Sequence, residues 1–171
     1  SEYQVTKQGD LVVLFSLFPH LFSQEIIRKN LDYYEKRCVH DSSLSYNTHS
    51  IVAAMLGDNE QSYKWFSKAA EVDLKADNSQ LGIHAAAMGG IWQCAIHGYA
   101  GIRAEGGKLY VSPNLPNNWK SISFNFVWKG ETLKFEITHN EIFIHKATVT
   151  PLEIIIYESS NLLENELRIK I

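Results

Sequence analysis

The chain has 171 residues, 45% hydrophobic, 12% aromatic and 20% charged, with a formal net charge of −3; this is ordinary for a soluble globular protein of one medium or two small domains and gives no electrostatic basis for binding nucleic acid or an anionic membrane. The longest early apolar run, "LVVLFSLF" at 11–18, is too short to span a bilayer and lacks the flanks of a signal peptide, so no membrane association is expected. Cys38 and Cys94 form no CxxC motif and no disulfide framework, and read as reduced thiols of a cytoplasmic protein.

Along the first hundred residues apolar positions recur at helical spacing, and five helices are expected. The first runs from about Gln8 to Phe18, where Pro19 and His20 end it. The second starts behind Ser23, a good N-cap with Glu25 in the first turn, and reaches about Lys36. A polar loop, "HDSSLS", leads into a third from about Ser45 to Leu56, stopped by Gly57. Asn59 can cap a fourth that ends near Leu74. After the loop "KADNSQ", a fifth runs from about His84 to His97. Short polar connections imply antiparallel neighbours.

Beyond residue 100 the pattern alternates and β-branched and aromatic residues dominate. Strands are expected at 108–113, 121–130, 132–138, 141–147, 152–158 and 166–171. The fold class is therefore α+β, with a helical domain over 1–104 and an antiparallel, sandwich-like β domain over 105–171. The first and fifth helices are apolar on nearly every side, more than five short helices can bury. The chain thus reads as a piece of something larger.

The segment "GIHAAAMGGIWQCAIHGYAG", 82–101, places two histidines and five glycines in and around the fifth helix. Gly89 and Gly90 would allow another helix to approach closely. His84, at the helix mouth, is either a satisfied core residue or a ligand contact, whereas His97 reads as core. In "HDSSLS" the hydroxyls either cap a helix or, with the free N–H groups and the helix dipole, hold an anion such as phosphate. Lys7 and Gln8 read as a solvated pair. His20, His49, His139 and His145 show no ligand spacing, so no metal site is expected. No nucleophile elbow, glycine-rich phosphate loop or dinucleotide fingerprint occurs. Glu35 and Asp41 are the nearest candidates for acid–base carboxylates, and both read as ordinary polar residues.

Three segments, "TKQGDLVVLFSLFPHLFS", "YYEKRCVHDSSLSYNTHSIVAAMLGD" and "GIHAAAMGGIWQCAIHGYAGIR", followed by "LYVSPNLPNNWKSISFNFVWKG", closely resemble the C-terminal part of the inverting disaccharide phosphorylases. These are the maltose, kojibiose and trehalose phosphorylases, whose family includes acid trehalases. The resemblance runs in order over about 5–138. It implies the closing helices of an (α/α)6 barrel followed by a β-sandwich-like C-terminal domain, in an enzyme several times longer whose general-acid glutamate lies outside this segment.

It also implies roles. Lys7 and Gln8 fall on the pair that hydrogen-bonds the transferred glucosyl unit, and Ser42, Ser43 and His84 fall on the phosphate-holding positions. The departure is Ala87, where many relatives carry serine. Phosphate would act as nucleophile and co-substrate, with no further cofactor, and a carboxylate base in its place would repel the dianion. The implied function is that of a C-terminal fragment of a glycosyl-transferring α-glucoside phosphorylase, inactive alone, with disaccharide and phosphate as ligands in the complete enzyme. Its implied partners are the missing N-terminal part of the barrel and further copies of itself. The rivals are a fragment of a trehalase-like hydrolase and a non-catalytic truncated or interaction module.

Overall fold

The computed structural model describes residues 4–7, 9–74 and 82–171. The chain divides into two compact units, Ser1–Gly98 and Tyr99–Ile171.

Among the described residues the first unit holds five α-helices: α1 (Asp10–Leu17), α2 (Gln24–Glu35), α3 (Ser45–Met55), α4 (Asn59–Ala70) and α5 (Ala85–Gln93). The first four pack round one apolar cluster of Val12, Phe15, Ile27, Leu31, Val52, Ala53 and Trp65. Ser23 caps α2 as expected, its side chain accepting from the Ile26 N–H. Asp58, rather than Asn59, caps α4 by accepting from the Gln61 N–H; a carboxylate one residue earlier outcompetes the amide. Helix α1 starts at Asp10, so Lys7 precedes it. There Thr6 pairs with the chain after α2, its N–H donating to the Arg37 carbonyl at 2.9 Å and its carbonyl accepting from Val39 at 3.0 Å.

The centre of this unit is polar as well as apolar. Helix α3 buries Ser45, Asn47, His49 and Ser50 beside Ile51–Ala54. Ser50 and Ser62 clasp α3 to α4, each hydroxyl donating to the other's backbone carbonyl, at 3.0 and 2.8 Å. Asn47 Nδ2 donates to the Ala87 carbonyl at 3.1 Å. An added Cβ at Gly90 would lie 2.1 Å from Asn47 Nδ2, while one at Gly89 would meet nothing within 4 Å. Only Gly90 serves the close approach expected of the pair. After Gln93 the fifth helix continues as a π-helical turn, Cys94–Tyr99. Apolar residues remain exposed along and after α1, including Leu14, Leu17, Phe18 and Leu21, and at Trp92 on α5.

The second unit contains eight strands in two four-stranded sheets. One runs β1–β2–β6–β7 through Ile102–Glu105, Lys108–Val111, Leu152–Ile156 and Ser159–Leu163; the other runs β3–β4–β5–β8 through Ser121–Trp128, Glu131–Thr138, Glu141–Lys146 and Glu166–Lys170. All ladders are antiparallel except β2 with β6, which pair in parallel with Leu109 opposite Ile154. Strict alternation on β4 buries Leu133, Phe135 and Ile137 and exposes Thr132, Lys134 and Glu136. Gly101 has φ +64°, and an added Cβ would sit 2.0 Å from the Ser112 carbonyl oxygen. Only glycine fits there. Lys146 is buried, and its ammonium donates to the Thr148 carbonyl at 2.7 Å, to the Thr148 hydroxyl at 3.0 Å and to the Thr150 carbonyl.

Candidate functional site

Within the helical unit, one cavity of about 810 Å³ is lined by Thr6, Lys7, Asp10, Leu11, Tyr34, Asp41, Ser42, Ser43 and His84. Four of the five residues singled out in the sequence thus lie on a single wall-to-wall space, although they are separated by up to 77 residues along the chain (84 − 7). The fifth, Gln8, lies outside the described residues. Ala87 is fully buried away from this lining.

The loop 40–44 shapes one side. Ser42 does not cap α3 itself: its hydroxyl accepts from the Leu44 N–H at 3.3 Å, and its carbonyl accepts from Ser45 N–H at 3.1 Å. The N-cap position of α3 is Leu44, with no side-chain cap. Ser42 thus serves the backbone just ahead of the helix, and both serines also line the cavity. Lys7 Nζ stands 3.9 Å from Asp41 Oδ2, both largely exposed, so the cation sits at the cavity mouth next to a carboxylate.

His84 occupies the N-cap position of α5 without capping it. Its Nδ1 is 2.6 Å from Asp73 Oδ1, and its backbone N–H donates to Asp73 Oδ2 at 3.0 Å. The two bonds clamp residue 84 to the end of the segment after α4 and fix the ring plane. With Nδ1 donating to Asp73, Nε2 remains available to a ligand. The hydrogen bond from His84 holds the Asp73 carboxyl below the usual aspartate range, more than offsetting the slight rise from burial. His84 is half-buried on a cavity wall rather than in the core. Sequence reasoning missed Asp73. Its signal was only an acidic residue near the expected end of the fourth helix, and the pairing joins residues eleven apart in the chain.

A second cluster lies beside the loop. A ring nitrogen of His40, one of His49 and the Cys38 sulfur lie within 4.8 Å of one another. Glu35 Oε2 is 3.0 Å from His40 Nε2 and 3.3 Å from His49 Nε2. Burial raises the Glu35 carboxyl, but the His40 hydrogen bond and the surrounding positive charges bring it below its ordinary value. Burial depresses His49, and the Ser45 carbonyl and Glu35 offset only part of that. The sequence reading passed over this group because its residues fall on a helix end, a loop and the next helix, with no recognised ligand spacing.

Comparison with known proteins places this architecture. Residues 1–93 match the glycosyl hydrolase family 65 central catalytic domain, and residues 102–161 match the glycosyl hydrolase family 65 C-terminal domain. The chain belongs to glycosyl hydrolase family 65. It is 40% identical over 156 residues to the kojibiose phosphorylase of Escherichia coli, covering 90% of this chain and 21% of that protein. It is 37% identical over 164 residues to an α,α-trehalose phosphorylase of Thermoanaerobacter brockii, covering 95% of this chain and 21% of that protein. A solved structure of a protein provisionally called a kojibiose phosphorylase, from the human microbiome, superposes with a TM-score of 0.92 at 29% identity, covering 98% of this chain and 25% of that one. The chain spans about a fifth of the length of these curated relatives. A helical segment that closes an α/α barrel, followed by a β-rich domain, is the arrangement found. Among the described residues no helix is long and apolar enough to cross a membrane.

Proposed function

We propose that this segment supplies the phosphate and glucosyl contacts of an inverting α-glucoside phosphorylase, with the general acid contributed from outside it. The observation that carries this reading is the gathering of Lys7, Ser42, Ser43 and His84 round one cavity. Two hydroxyls and an imidazole nitrogen held ready by Asp73 offer neutral and charge-assisted donors to a phosphate dianion. Held on the face opposite the leaving sugar, that phosphate attacks the anomeric carbon as the C–O bond to the leaving sugar breaks. The product is β-glucose 1-phosphate. Lys7, at the mouth and tempered by Asp41, suits a sugar hydroxyl. Phosphorylase names among the relatives, kojibiose and trehalose phosphorylases, support the same class.

Steady-state kinetics in the full-length protein carrying this segment tests it. His84→Ala and Ser43→Ala are expected to raise the KM for phosphate about tenfold or more, the worth of a charge-assisted hydrogen bond, while the disaccharide KM changes little. Lys7→Ala should instead impair both directions of the reaction. An unchanged phosphate dependence in His84→Ala defeats the reading. The 171 residues alone should form no glucose 1-phosphate, because protonation of the leaving group contributes about 10²–10⁴-fold.

A trehalase-like hydrolase is the second reading, and the presence of Asp10 and Asp41 on the same cavity favours it. One of these carboxylates would then activate water. Its signature is release of free glucose without phosphate.

A further inference from the structure

Beside the loop that carries Ser42 and Ser43, the structure assigns a transition-metal site to Cys38, His40 and His49, a site suited to Zn²⁺. Each histidine has one ring nitrogen already engaged by an outer partner. His40 Nε2 meets Glu35 Oε2 at 3.0 Å, and His49 Nδ1 meets the Ser45 carbonyl oxygen at 2.8 Å. A carbonyl or carboxylate oxygen only accepts, so both of these nitrogens carry the proton. The remaining nitrogens, His40 Nδ1 and His49 Nε2, are buried and have no hydrogen-bond partner among the described residues. Glu35 Oε2 approaches His49 Nε2 to 3.3 Å without a hydrogen bond. Two buried lone pairs without donors are costly in a folded interior unless a proton or a cation meets them.

The outer partners match what metal-bound histidines use. A carboxylate or backbone carbonyl on the far nitrogen fixes the tautomer and aims the near one. The Cys38 sulfur and one ring nitrogen of each histidine, within 4.8 Å of one another, need to close by up to about 1.5 Å to reach the spacing of ligands around tetrahedral zinc, where Zn–N is about 2.0 Å and Zn–S about 2.3 Å. This donor set selects Zn²⁺ over Mg²⁺ or Ca²⁺, which prefer oxygen. Binding forms a metal–sulfur bond and releases the Cys38 proton to solvent, leaving the fourth position to water. The rings are held from their faces too: His40 stacks on Tyr46 at 4.7 Å, and His49 meets Trp65 edge-on at 5.2 Å. His40 itself has φ +51°, a left-handed backbone that a metal bond would help to retain.

The test uses the full-length protein carrying this segment, stripped with chelator, and Co²⁺ or Zn²⁺ alone. One equivalent of Co²⁺ should produce thiolate-to-metal charge-transfer absorption and tetrahedral d–d bands, both displaced by Zn²⁺. Cys38→Ser should abolish the charge-transfer band. Glu35→Gln should weaken Zn²⁺ binding about 10–100-fold by loosening His40. Circular dichroism checks that the variants fold. Should Cys38→Ser not fold, the wild-type cobalt spectrum decides alone. Absence of the charge-transfer band at one equivalent, or a folded Cys38→Ser chain that titrates as wild type does, overturns the site.

Discussion

The two units solve the problem of an interior in opposite ways. The β unit alternates cleanly, burying Leu133, Phe135, Ile137, Ile142 and Ile144 completely, and its one buried charge, Lys146, is satisfied by the turn that follows β5 and by Glu131 on β4, 3.3 Å away. The helical unit instead buries Ser45, Asn47, His49, Ser50 and Ser62 while leaving Leu17, Phe18 and Leu21 exposed. A sheet hides half its side chains by geometry, so a two-sheet unit closes on itself. Helices apolar on several sides need more neighbours than five helices provide, and the polar residues at their centre set exact partners rather than general cohesion. The lesson is one of division of labour. The unit with the cleanly alternating apolar interior carries no part of the cavity, and the unit with polar groups at its centre holds all of it.

The largest expected effect falls on the β unit. Gly101→Ala forces a left-handed alanine against the Ser112 carbonyl and should cost about 3 kcal/mol or more. Hydrogen exchange should show the loss concentrated in the β unit; uniform loss across the chain would blur the distinction between the units. Next, Gly90→Ala should destabilise the helical unit by about 2 kcal/mol, because its methyl displaces the Asn47 amide. The double variant Gly90→Ala/Asn47→Ala should cost clearly less than the two single costs added. Additivity in denaturant melts would mean that Asn47 is not the obstacle.

Acid should also separate the units. Burial depresses the folded pKa of His49 below the ordinary histidine value of 6.5. Below pH 6.5 the unfolded chain therefore binds a proton that the folded chain refuses, and stability falls as pH drops toward the folded value. The β unit contains only His139 and His145, neither buried. Exchange protection measured at pH 7.5 and 5.5 should thus fall in the helices and hold in the strands. The smallest effect is Tyr157→Phe, which removes a 2.9 Å hydrogen bond to the Pro113 carbonyl and should cost about 1 kcal/mol.

Much of this was legible in the residues, for local reasons. Ser23 before Glu25 announced α2, and alternation over 132–138 announced β4. The strands that were not foreseen, β1 in "IRAE" and β7 in "SSNLL", carry too few β-branched residues to show by themselves, and pairing with β2 and β6 makes them strands. The same divide runs through the cavity. Residue types at 42, 43 and 84 could be read, but Asp73 behind His84 and the meeting of Cys38 with His40 and His49 depend on how helices turn past one another. Spacing along a chain does not encode that.

Lys146 has a consequence for anyone labelling or digesting this protein. Acylating reagents and trypsin both need a lysine that can leave its surroundings and enter a reaction or a binding pocket. At 1% exposure, with its ammonium bound to the carbonyls of residues 148 and 150, this one is out of reach in the native fold. It should be among the last lysines to accept an acetyl group, and its modification would mark chains whose turn after β5 has already come undone.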